Sequence, residues 1–154
     1  MKKYFMILVA ALTVAIVSSC SKSDDENSSE PSFVTNPTFN MNDLYGTWKI
    51  EKISINGSDY YEFDSFVSET YGYTKSTTAT FNKNGSYEGY GYFGNGSGTY
   101  DVSGDLITTY IDGSVYYRYK VISENSSTCK LLMSDTKSSK ELYLICNKKY
   151  SSLD

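Results

Sequence analysis

The chain has 154 residues and a formal net charge of −4, with 14 basic and 18 acidic side chains and no histidine. An acidic chain lacks the basic surface that nucleic-acid phosphates require, so we expect no nucleic-acid partner. The absence of histidine removes Ser-His-Asp and Cys-His nucleophile pairs, and with them histidine-ligated zinc or haem.

Residues 1–19 have the pattern of a secretory signal peptide. Two lysines precede the apolar run 4–17, which is shorter than the roughly 20 residues of a membrane-spanning helix. Val17-Ser18-Ser19-Cys20 resembles the lipobox of bacterial lipoproteins. The resemblance implies that Cys20 becomes the first mature residue and carries a thioether-linked diacylglycerol, with an acyl chain such as palmitate on its amino group. Two or more acyl chains anchor a protein stably to a membrane.

Residues 20–39 are predicted to form a flexible acidic tether. Cys20 is followed by the polar stretch SKSDDENSSEPS, which cannot bury enough apolar surface to fold. Within it, Ser23-Asp24-Asp25-Glu26 resembles the acidic export signal of surface lipoproteins from one large group of Gram-negative bacteria. The resemblance implies an exported protein, lipid-anchored to the outer membrane and facing the cell surface. The alternative is that these acidic residues only keep the tether soluble, which leaves the face of the membrane open.

Residues 40–154 are predicted to form one all-β domain. The chain has 16 tyrosines, and its two prolines precede residue 42; tyrosine, valine, isoleucine and threonine suit pleated, half-buried strands. The stretch NMNDLYG indicates a short helical turn capped by Asn42 or Asp43. Turn dipeptides such as Asn56-Gly57 and Asp112-Gly113 then separate about eight short strands, one of them in DYYEFDSF. Consecutive hairpins form a meander, which either stays an open sheet or closes into a small up-and-down antiparallel β-barrel. Closure removes exposed strand edges, so we expect the barrel.

Alternation along two strands indicates which side chains face the interior. In SVYYRYKVI the charged Arg118 and Lys120 mark the solvent face, and TTATF alternates between threonines and apolar residues. The side chains predicted to point inward are Ala79, Phe81, Val115, Tyr117, Tyr119 and Val121.

The stretch Leu44-Tyr45-Gly46-Thr47-Trp48 resembles the Gly-x-Trp motif of lipocalins. Together with TFNKNGSY, GTYDVSGDLIT and YKVISENSSTCKLLMS, the wider pattern resembles bacterial lipocalin-like lipoprotein domains over residues 42–149. The resemblance implies that the tryptophan closes the barrel floor beneath a basic side chain of the last strand, here Lys148 or Lys149. Lysine in place of arginine, and the missing Thr-Asp-Tyr motif, depart from the pattern of larger lipocalins.

An eight-stranded barrel is about the smallest that can hold one small ligand, so we expect a small hydrophobic ligand. The side chains predicted to line its site are Phe81, Phe93, Tyr117, Tyr119 and Met133. The alternative is that these residues simply fill the barrel. In that case the protein recognises a surface protein or a glycan through tyrosine-rich hairpins such as YEGYGYFGNGSGTY, which contains Tyr90 and Tyr92.

Cys129 and Cys146 are predicted either to form a disulfide after export or to stay as two buried thiols. The chain's carboxylates show no facing pair and no organised set of acid, base and nucleophile. We therefore expect a protein that is not an enzyme, with no metal and no cofactor. The carboxylates weighed for catalysis are Glu51, Glu62, Asp64 and Glu69.

Overall fold

The computed structural model describes residues 32–71, 77–135 and 141–149. Within these ranges the chain forms ten strands, two α-helices and one 3-10 turn. In chain order they are β1 (Val34–Thr35), α1 (Met41–Leu44), β2 (Gly46–Ser54), β3 (Tyr61–Glu62), α2 (Phe63–Tyr71), β4 (Thr78–Phe81), β5 (Ser86–Gly89), the 3-10 turn (Gly91–Phe93), β6 (Gly96–Ser103), β7 (Leu106–Ile111), β8 (Ser114–Glu124), β9 (Thr128–Asp135) and β10 (Glu141–Lys149).

Eight of these strands close into an antiparallel barrel. The order around the wall is β2-β4-β5-β6-β7-β8-β9-β10, and β10 pairs back with β2. Each wall strand pairs with the next wall strand along the chain. In the described residues, β3 with α2 and the 3-10 turn are the elements inserted between wall strands. This is the up-and-down arrangement, so the predicted fold class is confirmed.

The barrel has two ends that differ in construction. The floor carries α1, the start of β2 and the tight turns 82–85, 104–105 and 125–127. The upper end carries residues 55–71, which include β3 and α2, the segment 90–95 and the turn 112–113. Short turns cover little area, so among the described residues the β3–α2 segment and the 3-10 turn are the elements that can cover the upper opening.

The predicted strand in DYYEFDSF is wrong for most of its length. Only Tyr61 and Glu62 pair with β2, and a helix begins at Phe63. Phe63, Phe66 and Val67 recur at helical spacing, and Phe63 and Val67 are buried. The stripe is only one turn long, and the aromatic and β-branched residues around it favour a strand by propensity, which is why the helical period was missed.

The N-terminal helical turn is present as α1, but its cap differs from the prediction. Asn40 is the N-cap, and its side-chain oxygen accepts a hydrogen bond from the backbone amide of Asn42 at 3.1 Å. The prediction of Asn42 or Asp43 placed the cap two or three residues too late.

The folded part also begins before residue 40. Val34 and Thr35 pair in parallel with Val102 and Ser103 of β6, and both Val34 and Phe39 are buried. Residues 33–39, which the sequence places in the tether, therefore form a strap that crosses the floor and contributes apolar side chains to the core.

β-bulges shift which side chains face inward. Between Ile50 and Lys52 the register with β10 shifts by one residue, so Glu51 is an extra residue in β2 and Ile50 and Ile53 are both buried. A second shift in β8 places Val115 opposite Tyr110, on the face opposite to that of Thr109 and Tyr117. The prediction that Val115 points inward is therefore wrong.

The remaining alternation was predicted well. Ala79, Phe81, Tyr119 and Val121 are all buried in one continuous core. The largest buried side chains of that core are Tyr87, Tyr100, Tyr119, Phe63, Phe81 and Phe93.

Candidate functional site

The centre of the barrel holds a pair of tyrosine hydroxyls. The Tyr87 hydroxyl of β5 donates a 2.6 Å hydrogen bond to the carbonyl oxygen of Phe93, and it lies 3.5 Å from the Tyr119 hydroxyl of β8. Tyr119 is fully buried, with 0% of its surface exposed. Tyr87 faces inward because it pairs with Phe81, and Tyr119 because it pairs with Met133 and Ile107.

Burial keeps these hydroxyls uncharged. Removal from water penalises the phenolate, so the pKa of Tyr87 and the pKa of Tyr119 both lie above their ordinary value near 10. Both side chains are therefore neutral hydrogen-bonding groups throughout the physiological range. Among the described residues no buried side chain carries a charge; the buried polar ones are Ser54, Thr77, Thr108 and Thr109.

Aromatic and apolar side chains surround this pair. The Phe93 and Tyr119 ring centroids lie 5.8 Å apart, and Tyr117 lies 6.1 Å from Tyr119 by the same measure. Of the five side chains predicted to line a ligand site, Phe81, Phe93, Tyr119 and Met133 are buried in the core, and the partly buried Tyr117 packs against it. We call Tyr87, Phe93, Tyr117 and Tyr119 the tyrosine cluster.

The upper end is closed by side chains from two separate elements. Phe63 and Val67 of α2 are buried, and the Phe63 ring meets Tyr92 of the 3-10 turn edge to face at 5.3 Å. Gly89 allows the turn to approach β5 closely, since a Cβ atom at this position would lie 2.4 Å from the Phe93 carbonyl oxygen. We call Phe63, Val67 and Tyr92 the upper lid.

The floor is built around the only tryptophan of the chain. Trp48 donates from its indole nitrogen to the Leu44 carbonyl at 2.7 Å, and the Lys148 ammonium lies 5.3 Å from the Trp48 ring centroid. That ammonium also donates to the Asp43 carbonyl at 2.9 Å. Gly46, at φ +121°, leaves room for the Lys148 stem, which a Cβ there would meet at 2.9 Å. Between the two predicted lysines, Lys148 occupies this position.

The two cysteines are cross-strand neighbours. Cys129 of β9 pairs with Cys146 of β10, and both are buried free thiols. Burial raises the pKa of Cys129 to about 12 and also raises the pKa of Cys146. Buried, protonated thiols are poor nucleophiles, so in this state the pair packs as small apolar side chains.

A polar cleft of about 300 Å³ lies outside the barrel wall, where β3 and α2 stand beside β2 and β10. Its lining includes Glu51, Glu62 and Asp64, three of the four carboxylates weighed for catalysis. The Lys49 ammonium lies 3.4 Å from a carboxylate oxygen of Asp64. The Lys52 ammonium, which does not line the cleft, lies 2.9 Å from a carboxylate oxygen of Glu62. Two of these carboxylates are thus paired with cations. The fourth, Glu69, is exposed on α2.

The two tyrosines of the predicted recognition hairpin differ in exposure. Tyr90 is 51% exposed, whereas Tyr92 is partly buried in the upper lid. The predicted lipid-attachment residue and export signal, Cys20 and Ser23-Asp24-Asp25-Glu26, lie outside the described residues.

In the part of the chain that the structure describes, no helix combines the length and apolar content needed to cross a bilayer. Over the same residues, no group of three or more Cys, Asp or Glu side chains is arranged to hold a metal ion.

Sequence reasoning missed Tyr87 and Phe63 as members of the interior. Tyr87 stands between Ser86 and Glu88, an alternation that marks it as the inward residue of a short strand. For Phe63, the helical spacing of Phe63, Phe66 and Val67 indicates a buried helical face, but it extends over only one turn.

Comparison with known proteins agrees with this geometry. A family model described as Lipocalin-like domain matches residues 44–131. The chain belongs to the lipocalin-like domain family. The matched range begins at Leu44, which accepts the Trp48 hydrogen bond, and it contains the whole tyrosine cluster. No curated protein sequence matches the chain.

Proposed function

We propose that this lipocalin-like barrel binds one small hydrophobic ligand at the tyrosine cluster, behind the upper lid. The observation that carries the proposal is a closed barrel whose centre holds aromatic rings around two buried, neutral hydroxyls. Ligand sites of this kind are mostly apolar with a few convergent polar groups. Lipocalin-like domains are generally binding and transport folds, which also favours a binding protein over an enzyme.

The ligand would reach the tyrosine cluster through the upper lid. Phe63 and Val67 belong to an excursion between β2 and β4, and Tyr92 to the segment between β5 and β6. None of the three sits in a wall strand, so a movement of these side chains would leave the pairing between wall strands in place, while β3 stays paired with β2. The β3–α2 excursion carries two exposed ion pairs with β2, Lys49–Asp64 and Lys52–Glu62, and exposed pairs of this kind contribute only about 0–1 kcal/mol each.

The test is a titration of the mature-length chain, residues 20–154 with Cys20→Ser, which contains every described element. Binding of a neutral lipophile should saturate at one molecule per barrel. Enlarging one interior side chain with Ala79→Leu should weaken binding, whereas Tyr90→Ser, a change at an exposed side chain of the upper end, should not. Equal effects of the two substitutions would place binding outside the barrel.

We also propose that the chain is anchored to the outer membrane through acylated Cys20 and faces the cell surface. The lipobox and the acidic segment support this proposal, and the strap 33–39 would deliver the tether to the floor. The upper end would then point away from the membrane. Radiolabelled palmitate should label the wild-type chain but not Cys20→Ala, and protease added to intact cells should digest the domain.

A second candidate function is recognition of a surface protein or glycan. The outer cleft favours it, because its carboxylates, the Lys49 ammonium and the Asn147 amide can hydrogen-bond a hydroxyl-rich ligand. Tyr90 adds an exposed ring at the upper end. A glycan array probed with wild type and with Glu51→Ala/Asn147→Ala tests this alternative: binding lost in the double variant would support it.

A further inference from the structure

The hydroxyl of Tyr119 has unused hydrogen-bonding capacity at the centre of the barrel. Tyr87 already donates its hydrogen to Phe93 at 2.6 Å, so at the contact with Tyr119 the Tyr87 oxygen is the acceptor. That contact is 3.5 Å long, whereas hydroxyl–hydroxyl hydrogen bonds are usually about 2.7–2.8 Å. It is the one polar contact of the Tyr119 hydroxyl within the described residues.

Such a group is costly in a protein interior. A buried donor or acceptor without a good partner loses its hydration and gains little in return, and each such group needs a structural explanation. Tyr100 shows the ordinary arrangement in the same core: its hydroxyl donates to the Asn82 carbonyl at 2.8 Å. Tyr119 departs from that arrangement at the centre of the proposed ligand site.

The surroundings restrict which ligand group can bond to this hydroxyl. The rings of Phe93 and Tyr117 flank Tyr119, and Met133 is its neighbour across the strand pair. The buried side chains of the described core include no lysine or arginine. An anionic head group would therefore lose its hydration without gaining a cation, a cost far larger than one hydrogen bond returns.

From this geometry, and resting on the proposed function, we propose that Tyr119 is the polar anchor of the site and that the ligand is an uncharged lipophile with one hydrogen-bonding oxygen. A ketone, an ester or an alcohol on a small apolar body fits this description, and an ionised fatty acid does not. Tyr119 donates to the ligand oxygen or accepts from a ligand hydroxyl, while Tyr87 keeps its bond to Phe93.

The test uses three probes of nearly equal size: acetophenone, ethylbenzene and benzoate. Their dissociation constants are measured by NMR titration of the 20–154 Cys20→Ser chain at pH 7. Acetophenone should bind about two- to tenfold more tightly than ethylbenzene, the range that one net hydrogen bond supplies. Benzoate, which is ionised at this pH, should bind more weakly than either.

Two substitutions assign the preference to one hydroxyl. Tyr119→Phe should bring acetophenone to the affinity of ethylbenzene and leave ethylbenzene unchanged. Tyr100→Phe is the matched control: it removes a buried hydroxyl that is already bonded to Asn82, so it should lower stability and keep the preference for acetophenone. If Tyr119→Phe does not fold, the order of affinities of the three probes for the unsubstituted barrel tests whether the site prefers an uncharged ligand with one hydrogen-bonding oxygen.

The outcomes separate this inference from the proposed function. Equal binding of acetophenone and ethylbenzene, a preference that survives Tyr119→Phe, or tightest binding of benzoate would each overturn the anchor while leaving a ligand-binding barrel. Failure of all three probes to bind a folded chain would overturn both.

Discussion

Replacing Tyr87 by phenylalanine removes one oxygen atom from the centre of the barrel. The Phe93 carbonyl then loses the donor that lies 2.6 Å away, and the Tyr119 hydroxyl loses its 3.5 Å contact. Leaving a buried acceptor unsatisfied costs about 1–3 kcal/mol of the free energy of unfolding. The ring is retained, so packing changes little, and we expect Tyr87→Phe to be less stable by about 2 kcal/mol.

Urea denaturation followed by far-UV circular dichroism measures this loss. The midpoint should fall at an unchanged slope, because the area exposed on unfolding stays the same. Tyr61→Phe is the control: Tyr61 is 55% exposed, and the same chemical change there should stay within about 0.5 kcal/mol of wild type. A Tyr87→Phe variant as stable as the Tyr61→Phe control would refute the assignment of this hydroxyl as the partner of the Phe93 carbonyl.

Three further predictions concern the floor, the lid and the effect of pH. Lys148→Met should lower stability by about 1–2 kcal/mol and change the emission of Trp48, because it removes the ammonium from the ring and from the Asp43 carbonyl; unchanged emission would contradict the floor contact. Phe63→Ala should cost about 3–5 kcal/mol by urea denaturation, and a cost below about 1 kcal/mol would show that Phe63 does not close the barrel. Burial raises the pKa of Tyr119 and raises the pKa of Cys129 to about 12, so the folded state keeps protons that the unfolded chain releases. Stability should fall above about pH 8.5, where the Cys129 thiol of the unfolded chain ionises, and more steeply above about pH 10, where Tyr119 of the unfolded chain ionises as well. Each ionising group should contribute a slope of about 1.4 kcal/mol per pH unit. Constant stability from about pH 8 to 11 would contradict the burial of these groups.

The barrel itself could be predicted because local signals agree with one another. Strand residues, Gly-containing turns and the alternation in TTATF all indicate consecutive hairpins, and the wall order follows chain order. The local sequence pattern did not predict the structure where tertiary packing determines the secondary structure or the face of a strand. Phe63 starts a helix because its side chain is buried beside Tyr92, and Val115 changes face because an extra residue enters β8.

Four of the five side chains predicted to line a ligand site are buried in the core, but Tyr87 was not among the predicted residues and the hydroxyl pair was not predicted. Alternation places Tyr119 inside, and composition makes an aromatic interior expected. The 3.5 Å contact between Tyr119 and Tyr87 depends on the register of distant strands and on the 3-10 turn that brings the Phe93 carbonyl inward. No local pattern contains that information. The strap 33–39 was missed for a similar reason, since its burial comes from β6 and the floor.

The most direct test of ligand binding is an equilibrium titration of the 20–154 Cys20→Ser chain with Nile red, an uncharged dye whose emission rises in apolar surroundings. We expect the emission to saturate at one dye per chain, acetophenone to compete with the dye, and the Ala79→Leu chain to bind the dye more weakly. A folded chain that gives no saturable emission change, or whose binding is lost only when Tyr90 or the outer cleft is altered, would contradict it.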